Sequence, residues 1–518
     1  MSITLFDTTL RDGTQREGVS LTAEDKARIA RELDSLGIHY IEAGFPASNP
    51  KDLEFFEGFD DSSLHHAKLV AFTRARRPNG RAEDDPAVTL LPSLSAPVAC
   101  IVAKSWKLHV EKVLRTTPEE NLESVRDTVA YLAEAGKVVI FDAEHYFDGF
   151  RDDPGYSLAV LHSAAEAGAT TLVLCDTNGG TLPTELKAVV ARTVREFPDV
   201  EIGIHTHNDS GCGVANALVA VEAGATHVQG TVNGIGERCG NCDLVTTIAN
   251  LQLKMGLKVM DDEELRRLTE VSNYVSELMN LTPDTHRPFV GRSAFAHKGG
   301  LHVDGISKDP ATYEHVAPEA VGNVRRTPVG ELSGKNSIRT KAEELGLEAG
   351  DATQILGAIK QREYEGYHYE AADASLALLI GRTMGEDRPL FELETFRIIS
   401  EKRAGGETTT EATIKLFVGG QRVISTAEGN GPVNALDQAL RKAIGPHYPE
   451  LKEIHLSNYK VRILDEHRAT AATTRVLIDS TDGKRMWGAV GVSENIIEAS
   501  WQALVDGLEY GVSGTKKE

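Results

Sequence analysis

The feature that most constrains this chain is a strand–helix alternation that runs from its first residues to about position 250. Short β-rich runs fall at 3–6, 39–43, 68–72, 98–102, 138–141, 171–175, 201–205 and 227–231. Amphipathic helical stretches separate them, the pattern of parallel βα units. The first such stretch opens with Thr22-Ala23-Glu24-Asp25, a cap-like start with acids in the first turn, and closes at Gly37. Eight units in so short a span predict a closed α/β TIM barrel.

Barrel enzymes carry their chemistry at the C-terminal ends of the strands. Polar, reactive residues fall there repeatedly: Asp7 to Asp12 after the first strand, Glu42 after the second, and Asp142, Glu144 and His145 after the fifth. Asp176, Thr177 and Asn178 follow the sixth, His205, His207 and Asp209 the seventh, and Asn233, Glu237 and Arg238 the eighth. An open doubly wound sheet would gather such residues at one switch point, so the spread argues for closure.

Beyond the barrel, residues 257–385 are helix-biased and punctuated by Pro283, Pro288, Pro310, Pro318 and Pro328. From about 390 β-rich runs return, and residues 427–440 resemble 491–504, each after strand-like runs. Such a duplication predicts a pseudosymmetric α+β domain. The expected organisation is a catalytic barrel over 1–280, a helical linker subdomain over 281–388 and a C-terminal regulatory and dimerisation domain over 389–513. The end, 513–518, reads as frayed.

Among 518 residues, 41% are hydrophobic and 25% charged, and no apolar run is long enough to span a bilayer. The N-terminal segment has no basic and apolar leader pattern, so the expected compartment is the cytoplasm, away from membranes. Five cysteines suit a reducing compartment rather than a disulfide framework. Cys239 and Cys242 form a C-x-x-C with no second pair to complete a tetrahedral zinc site. The formal charge of −22 disfavours nucleic-acid binding.

His205 and His207 stand two apart at a strand end, so their side chains share a face and can bind one ion. Asp12 supplies a carboxylate and Asn241 an amide oxygen; two nitrogens and two oxygens suit a divalent ion such as Mg, Mn, Co or Zn. Arg11, beside Gly13 in a tight turn, can stabilise an alkoxide or enolate oxygen. Taken singly, these residues also read as surface histidines and a surface ion pair.

Together, Asp7-Thr8-Thr9-Leu10-Arg11-Asp12-Gly13-Thr14-Gln15, His205-Thr206-His207-Asn208-Asp209 and Asn233-Gly234-Ile235-Gly236-Glu237-Arg238-Cys239-Gly240-Asn241 resemble the signatures of the DRE-TIM metallolyase superfamily. The resemblance extends over nearly the whole chain to the isopropylmalate/homocitrate synthase family, and within it to long-form citramalate synthases. It runs through Leu174 to Gly180, Ala294 to His302, Gly429 to Leu436 and Trp487 to Asn495.

That resemblance implies a metal held by Asp12, His205, His207 and Asn241, and condensation of acetyl-CoA with a small 2-oxo acid, pyruvate first. Thr177 would help hold the acid's carboxylate and Arg11 the developing alkoxide. Glu144 would join an acid–base network, His302, from the linker of the same or a neighbouring protomer, would help remove a methyl proton from acetyl-CoA, and Tyr313 would lie near the thioester. It implies a homodimer with isoleucine, or else leucine, as effector. In so acidic a chain any CoA site must be locally basic. Phe72, Ile101, Val102 and Phe141 are candidates for the wall of the acid pocket. The alternatives are 2-isopropylmalate synthase, homocitrate synthase, a lyase running the same chemistry backwards, and an inactive amino-acid-sensing protein.

Overall fold

The computed structural model describes residues 2–515 apart from 331, 332, 349, 387, 388, 403, 407, 466, 468–470 and 484. The expected linker boundary at 388 and the tail residues 516–518 lie outside the described residues.

Eight parallel strands close into a barrel in sequential order: β1 (Thr4–Asp7), β2 (Tyr40–Gly44), β3 (Lys68–Arg74), β4 (Val98–Lys104), β5 (Val138–Glu144), β6 (Thr171–Asp176), β7 (Glu201–Thr206) and β8 (His227–Gly230). β8 pairs back on β1, with Leu5 beside Val228 and Phe6 beside Gln229. The first helix, Ala23–Ser35, shows how local sequence sets the ends: Thr22 and Asp25 form a reciprocal capping box. Gly37, at φ +86°, then turns the chain towards β2.

Side chains alternate across each strand. Leu5, Ile41, Leu69, Ala99, Ile101, Val139, Phe141, Leu172, Leu174 and Ile204 face outward and are buried with the apolar faces of the surrounding helices. Phe6, Val70, Val98, Cys100, Ile140 and Val173 face inward and fill the barrel, and Cys175, level with His205, lines the cavity above them. Towards the C-terminal strand ends the inward positions become Glu42, Asp142, Glu144, His205 and Gln229, which places the site there.

The chain divides into two compact units: Met1–Phe295 with Val316–Arg325, and Ala296–His315 with Arg326–Glu518. The second holds helices Lys335–Glu344, Ala352–Tyr364 and Asp373–Thr383, then two copies of a three-strand-plus-helix motif. In the first copy β9 (Glu392–Lys402), β10 (Thr408–Val418) and β11 (Gln421–Gly429) form an antiparallel sheet followed by helix Pro432–Ile444; in the second β12 (His455–Ile463), β13 (Thr474–Thr481) and β14 (Met486–Ser493) precede helix Ile496–Thr515. The duplication read in the sequence is this motif. Ser513 to Thr515 continue the last helix rather than fraying from it. Among the described residues no helix is long and apolar enough to cross a membrane.

On the barrel floor His227 is fully buried and neither ring nitrogen has a hydrogen-bond partner. Its ring packs 5.4 Å from Phe6 and 6.0 Å from Tyr40. Burial, opposed in part by Glu201, pulls its imidazole down to about 4. Unfolding returns it to an ordinary value of about 6.5, so the unfolded chain binds more protons between those limits. The folded state therefore loses stability as pH falls from about 6.5 towards 4 and is unaffected by this group above that window. His227→Phe is expected to remove about 2 kcal/mol of the destabilisation between pH 7 and pH 5, seen as a shallower fall in the Tm of metal-free protein.

Candidate active site and metal centre

The turn after β1 is wound around one carbonyl: the N–H groups of Arg11, Asp12 and Gly13 all donate to Thr8 O, at 3.1, 2.9 and 3.0 Å. Thr8 Oγ1 also donates to Glu42 Oε2 at 2.5 Å. The turn thus delivers Arg11 and Asp12 to the barrel mouth. Gly13 is not at positive φ, and a Cβ there would meet nothing closer than 3.5 Å. The tight turn expected here is present, and it is the Thr8 carbonyl that holds it.

His205 and His207 leave the end of β7 on the same face, and the loop after β8 is laced back onto that strand end. Cys242 N donates to Thr206 O at 2.7 Å and Asn208 N to Gly240 O at 2.8 Å, so Asn241 lies across from His207 in an isolated bridge. Gly240 is required, because it holds φ +93° and its Cβ would fall 2.0 Å from Gly234 O. Cys242 is buried and Cys239 exposed, both as free thiols.

Asp12, His205 and His207 converge, all buried, with ligand atoms within 4.8 Å of one another. His205 Nε2 lies 3.3 Å from Asp12 Oδ2 and 3.3 Å from His207 Nε2, and His207 Nε2 lies 3.7 Å from Asp12 Oδ2. Asn241 differs from expectation: its Nδ2, not its oxygen, faces the cluster, donating to Asp12 Oδ2 at 2.7 Å. Its Oδ1 is buried without a partner, and a half-turn of the amide would present it to the cluster. Buried imidazoles, a carboxylate and an unused amide oxygen form a donor set that fits a divalent cation.

The electrostatics are those of a clamped carboxylate. Burial works against the Arg11 guanidinium, but Glu42 and Asp12 outweigh it and hold the group firmly protonated. Burial alone would raise Asp12, yet Arg11 and His205 keep its carboxyl well below the usual carboxylate range. Burial, with the neighbouring His205, lowers His207 to about 4 and leaves that ring neutral. Arg11 Nε is 2.7 Å from Glu42 Oε2, Nη1 is 3.2 Å from Asp12 Oδ1, and the guanidinium lies 4.1 Å over the Phe72 ring. Its direction into the cleft is therefore set by three partners.

Arg11, Asp12, Phe72, His205 and His207 line a cavity of about 220 Å³ together with Val102, Asp142, Glu144, Thr177 and Arg238. Glu144 pairs with Lys104, and Thr177 Oγ1 accepts from His145 N at 2.8 Å. Arg238 reaches over from the β8 loop to Asp209 and to the Thr177 carbonyl. Of the four wall candidates, Phe72 and Val102 line the cavity. Ile101 and Phe141 do not: each is one residue out of phase and packs in the outer core. The residues missed from sequence are Lys104 and Gln229, whose inward parity beside His205 was the available signal. His302 and Tyr313 belong to the other unit, where their rings stack 4.1 Å apart at 23°.

The barrel matches the HMGL-like family over residues 2–275. The chain is 50% identical to an (R)-citramalate synthase of Aquifex aeolicus, covering 99% of this chain and 98% of that one. The chain belongs to the (R)-citramalate synthase family. A second member, from Streptomyces coelicolor, is 51% identical over 99% of this chain and 97% of its own length. A probable 2-isopropylmalate synthase of Methanopyrus kandleri is 34% identical, covering 98% and 97%. Beyond the barrel, residues 289–364 match a homocitrate synthase post-HMGL domain-like family and 370–512 the LeuA allosteric (dimerisation) domain.

The loop geometry makes a direct prediction. A Cβ on Gly236 would fall 1.9 Å from Asn241 Oδ1, displacing the amide from the cluster. Gly236→Ala is expected to raise the Kd for Mn²⁺ at least tenfold, an effect of the size seen when groups around a metal site are disturbed, with circular dichroism unchanged.

Proposed function

We propose that the chain condenses acetyl-CoA with pyruvate and hydrolyses the thioester, giving (R)-citramalate and CoA, as a cytoplasmic acyltransferase of isoleucine biosynthesis. The observation that carries this reading is the buried Asp12–His205–His207 cluster at a small cavity, in a chain half identical along its length to (R)-citramalate synthases. The cavity lies below the roughly 300–1,000 Å³ of drug-sized sites, in keeping with a short acid. Phe72 and Val102 offer an apolar wall to its methyl group.

Asp12, His205, His207 and, after its amide turns, Asn241 would hold a divalent ion. When bound, that ion polarises the keto group of the 2-oxo acid. The Thr177 hydroxyl would orient the acid's carboxylate. His302, from the linker of the same or a neighbouring protomer, would take a proton from the acetyl methyl group, with Tyr313 of that linker near the thioester, and the carbon so activated would attack the keto carbon. Arg11, directed by Glu42 and Asp12, would stabilise the oxygen as it gains charge. Glu144 with Lys104 can pass the proton that this oxygen finally takes. Water then adds at the thioester carbonyl and CoA leaves.

The working division is a catalytic barrel over 1–280, a linker over 281–388 and a regulatory domain over 389–513. A homodimer is supported by the outer face of the first sheet, where Ile399, Phe417 and Ile424 stand exposed; apolar strand faces of this kind are ordinarily covered. The effector assigned to the regulatory domain is isoleucine ahead of leucine.

Three outcomes are expected. Of pyruvate, 2-oxoisovalerate and 2-oxoglutarate, pyruvate should give the highest kcat/KM by more than tenfold in a thiol-release assay, since one methylene in an apolar pocket is worth about 1–3 kcal/mol. A win for 2-oxoisovalerate would make the chain an isopropylmalate synthase. Excess EDTA should abolish turnover, and His205→Ala should lower kcat at least 100-fold with Tm held within a few degrees; full activity in either case removes the metal site. Isoleucine should lower the initial rate at concentrations where leucine does less, and equal indifference to both would remove the assigned effector.

A further inference from the structure

We propose that Gln229 is a positioning residue for the metal centre, its side-chain amide clamped by Asp142 so that it holds the His205 ring with Nε2 turned towards Asp12 and His207. Gln229 is 1% exposed and faces inward from β8. Its Nε2 donates to Asp142 Oδ1 at 3.1 Å, and its Oε1 meets His205 Nδ1 at 2.8 Å.

The polarity of this chain follows from what each group can do. A carboxylate only accepts, so Asp142 selects the NH₂ end of the amide. The oxygen end must then face His205, and the ring must answer with an Nδ1–H. That leaves Nε2 as the nitrogen offered to the cluster, with its ring plane fixed. His207 has no such support, because its Nδ1 is buried without a partner. Of the two histidines, only His205 has its orientation set by the barrel interior.

The placement has no cheaper structural explanation. The inward positions around this chain are Val70, Cys100, Ile140, Val173 and Cys175, and a buried polar trio among them costs desolvation that hydrocarbon would not. Asp142 and His205 lie on β5 and β7, and Gln229 reaches both from β8. Partners of this kind behind a metal-binding imidazole set its tautomer and raise its basicity.

The inference rests on the reading of Asp12, His205 and His207 as a divalent-cation site, and the test separates the two. Mn²⁺ binding to the metal-stripped full-length protein is followed by the loss of free Mn²⁺ electron paramagnetic resonance. Gln229→Leu removes both hydrogen bonds and is expected to raise Kd by about 10–100-fold. The pair Gln229→Glu with Asp142→Asn exchanges donor and acceptor between these two residues, leaves an acceptor facing His205, and is expected to bind within about threefold of the parent. Should Gln229→Leu fail to fold, the exchanged pair decides alone, and a Kd more than tenfold above the parent overturns the proposal. It is equally overturned if folded Gln229→Leu binds like the parent, or if the exchanged pair binds as weakly as Gln229→Leu. His205→Ala is the control: if it leaves Mn²⁺ affinity unchanged, the metal reading itself fails, whereas a loss there with none in Gln229→Leu removes only the role of Gln229.

Discussion

Closing eight strands into a barrel imposes the constraint on which the rest of the molecule depends: along each strand every second residue must fit inside. Phe6, Val70, Val98, Cys100, Ile140 and Val173 satisfy it with apolar volume on the floor. Nearer the C-terminal ends the same columns continue as Glu42, Asp142, Glu144, His205 and Gln229. Polar groups can stand there because neighbours on other strands supply their hydrogen bonds. A slip of one residue in any strand would send a histidine or an acid into the outer apolar core.

Charge is the second organising quantity. Asp12, Glu42, Asp142 and Glu144 gather around Arg11 and Lys104, while Arg238, which also lines the cavity, pairs with Asp209 and Glu237. Glu42 and Arg11 neutralise one another, and loss of either would leave a buried charge, at a cost of about 3–5 kcal/mol. The remaining negative excess stands beside two imidazoles. Burial and the Glu42 charge also raise the carboxyl of Asp142 above the ordinary range. An interior so charged favours a cation at the mouth.

The second unit solves a different problem. Each three-stranded sheet has one helix to cover one face: Ala412, Ile414, Leu416 and Val418 meet the helix Pro432–Ile444, and Val476 and Ile478 meet the helix Ile496–Thr515. Val490 and Val492 also contribute to the core of helices Ala352–Tyr364 and Asp373–Thr383. One helix cannot shield both faces of a sheet, which is why apolar side chains such as Phe417 and Ile424 remain exposed on the opposite side.

What the sequence by itself determined was everything governed by local period and by strongly typed motifs. The eight strands were legible because each is a short β-rich run between amphipathic helices, and the helix cap at Thr22 because its chemistry spans four residues. Asp12, His205 and His207 were legible because two histidines at i and i+2 must share a face, and because the motif around Asp12 carries a strong family resemblance. Tertiary structure alone decided which residues line the pocket. Ile101 and Val102 are neighbours with similar side chains, and only the strand's phase against the closed barrel sends one outward and the other into the cavity. It also decided which end of the Asn241 amide faces Asp12, and that Gln229 links Asp142 to His205 across residues 142, 205 and 229. Hydrogen bonds between such distant positions leave no local period in a sequence, because the strands that make them neighbours are brought together only when the barrel closes.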